Sequence, residues 1–100
     1  MKIKVTQSVL DYEGKPQISG EGGKELTWRS VITTALNTTI KDESMTGADK
    51  ARAYLITVKI HSTEEPDLDL GERSFVLDRI EKVFISPLVY GRAKEFFEEK

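Results

Sequence analysis

The sequence predicts an α+β fold, in which an N-terminal β-hairpin is followed by a small bundle of about four helices. Apolar and polar residues alternate over the first ten positions, with the two-residue period of a half-buried strand. Four later segments instead repeat apolar residues every three or four positions, which is the period of amphipathic helices. A serine, threonine or aspartate stands before each of these segments, where a helix needs a cap.

The hairpin is predicted from the alternation and from the turn that follows it. Ile3, Val5 and Val9 share one face of the first strand, although Gln7 interrupts the row. Residues 11–16 (DYEGKP) favour a turn, because aspartate bonds its own backbone and glycine adopts positive φ. An isolated hairpin is marginal in water, so we expect this one to pack on the helices or to pair with another chain.

Four helices are predicted, with Thr27, Thr46, Asp69 and Ser86 as caps. The fourth begins at Pro87, because proline at the first helical position loses no hydrogen bond. The apolar stripes are Trp28, Val31, Ile32, Ala35 and Leu36 in the first helix; Ala48, Ala51, Leu55 and Val58 in the second, with Tyr54 beside them; Val76, Leu77, Ile80, Val83 and Phe84 in the third; and Val89, Ala93, Phe96 and Phe97 in the fourth.

A single domain is predicted over residues 1–100, because this length fits one domain and buries about two-thirds of its unfolded surface. The hairpin occupies residues 2–18, a flexible connector residues 19–26, and the helical part residues 27–98. The residues expected in the core are Val5, Val9, Trp28, Val31, Ile32, Leu36, Leu55, Val58, Ile80, Val83, Phe84, Val89 and Phe96.

The composition argues against most catalytic and metal chemistry. The chain has no cysteine and one histidine, His61, which excludes thiol nucleophiles and multi-histidine metal sites. His61 lies at a predicted helix C-terminus, where an imidazolium suits the helix dipole, so a structural role is the simpler interpretation. The acidic residues 64–69 match a calcium loop at too few positions. We therefore predict no enzyme activity, no catalytic residue, no cofactor and no metal.

The charge balance limits the classes of partner that the protein is expected to bind. Fifteen Lys and Arg face 17 Asp and Glu, for a net charge of −2, which argues against broad binding to nucleic-acid phosphates. The alternative interpretation is a small nucleic-acid-binding regulator that uses a basic hairpin face made of Lys2, Lys4 and Lys15. No apolar run approaches the ~20 residues of a membrane span, and no signal peptide is evident. We expect a cytoplasmic protein without membrane contact.

The aromatic residues near the C-terminus are the candidate partner-binding residues. Core packing is the default for them, but two adjacent phenylalanines cannot both point into one narrow seam, so one is expected to face a second subunit or another protein. A glycine within the same helix either permits close approach of another backbone or only costs ~1 kcal/mol of helix stability. The candidates are Tyr90, Gly91, Phe96 and Phe97.

Three stretches resemble small, mostly uncharacterised proteins of tailed bacteriophages and prophages. They are residues 10–16 (LDYEGKP), residues 24–31 (KELTWRSV) and residues 80–91 (IEKVFISPLVYG). They are similar to an Asp-Gly-Lys-Pro turn, a helix led by Leu-Thr and a Pro-Leu-Val segment of that group, whereas residues 63–66 depart from it. The resemblance implies a viral, non-enzymatic accessory protein made in the bacterial host cytoplasm, and it assigns no functional residue.

The expected function is therefore protein–protein interaction. The protein would bind a host or phage protein or assist assembly, and it would also self-associate as a homo-oligomer. The hairpin edge is one surface that could accept a strand from a partner.

Overall fold

A computed structural model describes residues 1–18, 23–40 and 45–98. Within these ranges the chain forms four α-helices, Trp28–Asn37 (α1), Gly47–Ser62 (α2), Leu70–Val83 (α3) and Pro87–Phe97 (α4). Helix α1 packs against both α2 and α3, and α4 packs against α3. The four helices predicted from periodicity are confirmed, and their observed ends lie within a few residues of the predicted ones.

The helices begin at the predicted caps. The side-chain oxygens of Thr27, Thr46 and Asp69 each accept a hydrogen bond from the backbone N–H three residues later, at 3.3, 3.1 and 2.7 Å. Ser86 makes no such bond. Helix α4 begins there because Pro87 has the φ angle of a helix and no N–H to satisfy.

The predicted β-hairpin, and with it the α+β class, is wrong. The described part of the chain is a four-helix fold that contains isolated β-bridges and no β-strand. The predicted turn does form, since Gly14 has a φ of 81° and its N–H donates to the carbonyl of Asp11 at 3.2 Å. The segment before it bends instead of running straight, because the N–H of Gln7 donates to the carbonyl of Lys4 at 3.2 Å.

The first ten residues fail to form a strand because their backbone partners keep changing. Ile3 and Val5 donate to carbonyls within residues 64–66, each at 3.0 Å, whereas Val9 donates to Leu26 at 2.7 Å. A β-ladder requires consecutive bonds to one neighbouring segment. The alternation itself is confirmed, since Ile3, Val5 and Val9 are all buried. The alternation therefore predicts correctly which side chains are buried, but it does not predict the backbone partners of this segment.

Part of the predicted connector, residues 19–22, lies outside the described residues. The described part is paired with the segment before it: Ile18 and Glu25 form a bridge, and the N–H of Leu26 donates to the carbonyl of Gln17 at 2.8 Å. These contacts hold the start of α1 close to the N-terminal segment.

The core lies where α1 meets the other elements. Most of the predicted core residues are buried or half-buried, and the exceptions are Leu55 and Val58 of α2, which are exposed. Helix α2 turns a different face inward, formed by Ala53, Ile56 and Ile60. The prediction for α2 is therefore wrong about which face of the helix is buried. The buried hydrophobic residues that form the core of the described chain are Ile3, Val5, Val9, Trp28, Val31, Ile32, Ala35, Leu36, Ala53, Ile56, Ile60, Leu68, Val76, Ile80, Val89, Ala93 and Phe97.

Candidate protein-interaction surface

Helix α2 exposes a stripe of uncharged side chains on the side away from the core. Tyr54 is 66% exposed, Leu55 65% and Val58 45%, which is unusual for large apolar residues in the middle of a helix. Smaller exposed residues extend the stripe towards both ends of the helix. We define the α2 stripe as Ala48, Ala51, Tyr54, Leu55, Val58 and Ser62.

The spacing within the α2 stripe is that of a helix–helix contact. Positions 48, 51, 55, 58 and 62 follow one another at alternating intervals of three and four residues. This is the 3.5-residue repeat with which a helix presents a continuous seam to another helix. Alanine and serine at the ends of the seam allow close approach, and Leu55 and Val58 supply apolar area at its centre.

The charged residues that flank the α2 stripe are basic. Arg52 and Lys59 lie on one side and Lys50 on the other, as the helical repeat requires. The Nζ of Lys59 lies 3.0 Å from a carboxylate oxygen of Glu72, and the guanidinium of Arg52 lies over the ring of Phe75, 5.2 Å from its centroid. Both contacts join α2 to α3, so these two cations are held in place beside the stripe.

A cleft of about 380 Å³ adjoins the α2 stripe at Tyr54. Leu36, Ile40 and Met45 contribute apolar side chains to it, and Lys50 is the one charged residue among the described residues that line it. Its volume lies at the lower end of the range that binds small molecules or a large side chain of a partner. Because Tyr54 belongs to both, the stripe and the cleft form one continuous surface.

The predicted partner-binding residues of α4 lie mainly against the protein's own core. Phe96 stacks on Trp28 with ring centroids 4.5 Å apart, and Phe97 meets the same ring edge-on at 6.5 Å. The indole contacts both phenylalanine rings, and of the two Phe97 is buried and Phe96 is half-buried. Tyr90 is half-buried, and Gly91 is exposed.

Gly91 is not a point of close backbone approach within the described chain. A Cβ placed at Gly91 would meet no heavy atom within 4 Å. Of the two explanations left open by the sequence, contact with another part of this fold is therefore not the one observed. The residue remains accessible to a partner.

The predicted basic face is made of three exposed lysines, two of which lie beside an acidic residue. Lys2 pairs through its backbone with Asp67, and the Nζ of Lys15 lies 3.7 Å from a carboxylate oxygen of Glu13. Lys4 is exposed between the backbone contacts of Ile3 and Val5. Because the hairpin does not form, these lysines have no common strand face to occupy.

Several arginines act inside the fold as helix caps. Arg29 donates to the carbonyls of Ile60 and Thr63 at the end of α2, at 3.0 and 3.1 Å. Arg79, only 3% exposed, donates to those of Ala35 and Thr38 at the end of α1, at 3.2 and 2.8 Å. Cations at these positions satisfy carbonyls that the helix leaves unpaired. They stabilise the fold through these contacts within the chain.

His61 lies in an open cleft of about 310 Å³ and forms a hydrogen bond with a hydroxyl group. Its Nε2 is 2.9 Å from Oγ1 of Thr33, and both side chains reach solvent. A nucleophilic pair would also need a group that orients the imidazole and makes it a base. No described carboxylate hydrogen-bonds this ring. The contact ties the end of α2 to α1.

The acidic run after α2 is used to hold the fold together. The ammonium group of Met1 lies 2.7 Å from Oδ1 of Asp67, and this hydrogen bond is the largest cause of a pKa of Asp67 below its ordinary value of 3.8. Asp69 and Glu72 form a capping box at the start of α3. The side chain of Asp69 accepts from the backbone N–H of Glu72, and the side chain of Glu72 accepts from the backbone N–H of Asp69. Across residues 1–18, 23–40 and 45–98, no three His, Asp or Glu side chains are placed to hold a metal ion.

Sequence reasoning missed the α2 stripe as a surface because it assigned the same residues to the core. The signal was present in the sequence: α2 has two apolar rows, one through Ala53, Ile56 and Ile60 and one through Leu55 and Val58. A helix that packs on one side of a small domain buries only one such row.

Comparisons with known proteins identify no relative. No protein-family model matches the chain, and the comparisons with curated proteins and with solved structures give no match. Within the described residues, no helix combines the length and hydrophobicity needed to span a membrane.

Proposed function

We propose that this protein is a non-enzymatic interaction protein that binds another protein through the α2 stripe. The observation that carries the proposal is the exposure of Tyr54, Leu55 and Val58 in the α2 stripe, which contains no charged side chain. Contiguous apolar patches with polar rims are typical of protein-binding surfaces. An aromatic ring in such a patch, as Tyr54 provides here, is a common source of binding energy.

The resemblance to tailed-phage proteins supports a proposal for the setting. The protein would be an accessory factor made in the bacterial cytoplasm, and its partner would be a host or phage protein. The fixed arginines and the carboxylates beside the exposed lysines favour a protein partner over a nucleic acid.

Site-specific photo-crosslinking in bacteria tests the proposal. A photoreactive phenylalanine analogue is placed at Leu55 in the α2 stripe or, as a matched control, at Ile85, which is 98% exposed between α3 and α4. We expect illumination to give a discrete heavier product with the probe at Leu55 and none with the probe at Ile85. Mass spectrometry of the product then identifies the partner.

The outcomes distinguish specific binding at the α2 stripe from non-specific crosslinking of exposed residues. Equal crosslinking from Leu55 and Ile85 would show that exposure alone determines capture, and the proposal would fail. The same holds if the probe at Leu55 gives no product while one at Phe96 does, because the contact surface would then lie on α4.

A further inference from the structure

We infer that the segment bound to the α2 stripe is an amphipathic helix with acidic flanks that belongs to a different protein. We further infer that this helix places a large apolar side chain in the cleft beside Tyr54. The inference rests on the proposed function and gives the chemistry of the partner. Three features of the described residues carry it: the spacing of the stripe, the sign of the flanking charges, and the cleft.

The spacing identifies the shape of the partner. A strand or an irregular loop does not match a seam that repeats every 3.5 residues along a helix, whereas a second helix matches it over its whole length. The seam from Ala48 to Ser62 covers almost all of α2, which has 16 residues. The partner segment therefore needs about four turns of helix to cover it.

The flanking charges identify the partner's chemistry. Arg52 and Lys59 flank the seam on one side, Lys50 lies beyond Tyr54 on the other side, and Asp49 is the one acidic residue of α2. Asp49 is half-buried in the first turn of the helix. Its position places it on the side of Ala53 and Ile56, away from the seam. Charges at flanking positions set the choice of partner between paired helices. Glutamate or aspartate at the partner's flanks meets the basic rim favourably.

The same charges argue against a second copy of this chain as the occupant. Arg52 and Lys59 lie on one side of the seam, so an antiparallel pairing of α2 with α2 brings the cations of the two copies together. In a parallel pairing these cations would face Tyr54 on the other side of the second copy's seam and would meet no carboxylate of α2 there. Like charges across a helix pair are unfavourable and select against that pairing. The contact of Lys59 with Glu72 reduces this repulsion, and Arg52 still contributes to it. Self-association through the α2 stripe is therefore disfavoured relative to binding an acidic helix.

The cleft supplies the anchor point. Its described walls are apolar at Leu36, Ile40 and Met45, and its charged residue is Lys50. A large side chain from a helix on the stripe would fill this hollow next to Tyr54. An acidic residue one turn away on the same helix would lie near Lys50. This arrangement of a buried anchor with a charged rim is typical of helix-in-groove recognition.

Synthetic peptides test the inference without knowledge of the natural partner. The probe is a helical peptide of about three heptads, with leucine at the seam positions and glutamate at the flanks, where glutamate also prevents self-pairing. Two matched peptides carry lysine at the flanks or the same residues in scrambled order. Fluorescence anisotropy at about 50 mM salt, where surface charges are weakly screened, measures their binding to the full chain.

We expect the acidic peptide to bind at least about tenfold more tightly than the lysine peptide, and added salt to weaken it. Leu55→Asp should abolish binding, and Ile85→Asp should leave it unchanged. Lys50→Glu should reduce the preference for the acidic peptide and improve binding of the lysine peptide. That reversal is a readout that a merely destabilised variant would not produce.

Three results would overturn the inference. They are equal binding of all three peptides, no binding of the acidic peptide at high micromolar concentration, and a stable dimer of the protein alone that Leu55→Asp dissociates. The crosslinking experiment separates the two proposals. If crosslinking from Leu55 captures a protein but the acidic peptide does not bind, the α2 stripe is the interface and the partner's chemistry is different.

Discussion

Trp28 and Phe96 stack face to face, with ring centroids 4.5 Å apart and planes 10° from parallel. Trp28 begins α1, and Phe96 lies in the last turn of α4, so one aromatic contact joins the first helix to the last. Phe97 completes the group, with its ring at 74° to that of Phe96 and buried to 4% exposure. The C-terminal helix is held to the core by this cluster.

Truncating these rings should destabilise the protein in a defined order. Phe97→Ala should cost about 3 to 5 kcal/mol, because it removes a fully buried ring. Phe96→Ala should cost less, about 1 to 2 kcal/mol, because its ring is half-buried and contributes mainly through stacking. Urea denaturation measures both, with Ile85→Ala as the exposed control. Equal losses for Phe96 and Phe97 would contradict the observed difference in burial.

The buried guanidinium of Arg79 gives a second prediction. Replacing Arg79 by methionine keeps most of the side-chain volume but removes the donors to Ala35 and Thr38 at the end of α1. We expect a loss of about 2 to 3 kcal/mol, as for hydrogen bonds made by a charged group. The matched change is Arg29→Met, at a half-exposed site where water can replace the lost donor. It should cost about 1 kcal/mol.

The sequence could predict what depends on local periodicity and on caps. The four helices, Thr27, Thr46 and Asp69 as caps, and the inward faces of Ile3 and Val5 all follow from neighbouring residues. Choices between distant segments could not be predicted in the same way. The N–H groups of residues 3 and 5 bond to the loop after α2, and nothing near them in the sequence indicates that partner.

The same limit explains the error at α2. Periodicity shows that Leu55 and Ile56 each belong to an apolar row, but it does not say which row α1 covers. Long-range contacts decide that, among them the ion pair of Lys59 with Glu72 and the position of Arg52 over Phe75. The sequence-based prediction therefore exchanges the exposed row and the buried row of α2, which corresponds to a rotation of this helix about its axis.

A pair of substitutions tests that rotation directly. Leu55→Ala should change the free energy of unfolding by no more than about 0.5 kcal/mol, because the side chain is exposed. Ile56→Ala should cost about 2 to 5 kcal/mol, because Ile56 is 1% exposed and a cavity would remain. Chemical denaturation of the monomer measures both. The opposite order would mean that the row containing Leu55 is the buried one.

The pH dependence of stability should reflect the contact between Asp67 and Met1. The pKa of Asp67 is lower in the folded protein than in the unfolded chain, chiefly because of the hydrogen bond from the ammonium group. Its contribution is therefore present above the unfolded value of 3.8 and is lost as the pH falls through the folded pKa. Asp67→Asn should flatten this part of the stability profile between about pH 2 and about pH 5.

A second carboxylate provides the control for that profile. The pKa of Asp11 is also lowered, chiefly by the hydrogen bond from the backbone N–H of Lys15. Acetylating the α-amino group of Met1 should change the Asp67 contribution and leave that of Asp11 in place. If acetylation leaves the acid branch of the profile unaltered, the ammonium group is not the cause of the shift.

Substitution of Gly91 tests whether this residue of α4 matters for stability or for binding a partner. Alanine at this position has free space around its Cβ and a higher helix propensity, so Gly91→Ala should raise the free energy of unfolding by about 0.5 to 1 kcal/mol. Because the substitution lies on α4, binding through the α2 stripe should be unaffected in the peptide assay. A variant that is more stable but no longer captures its partner in cells would show that α4 also contacts the partner. Unchanged capture would confine the interface to α2.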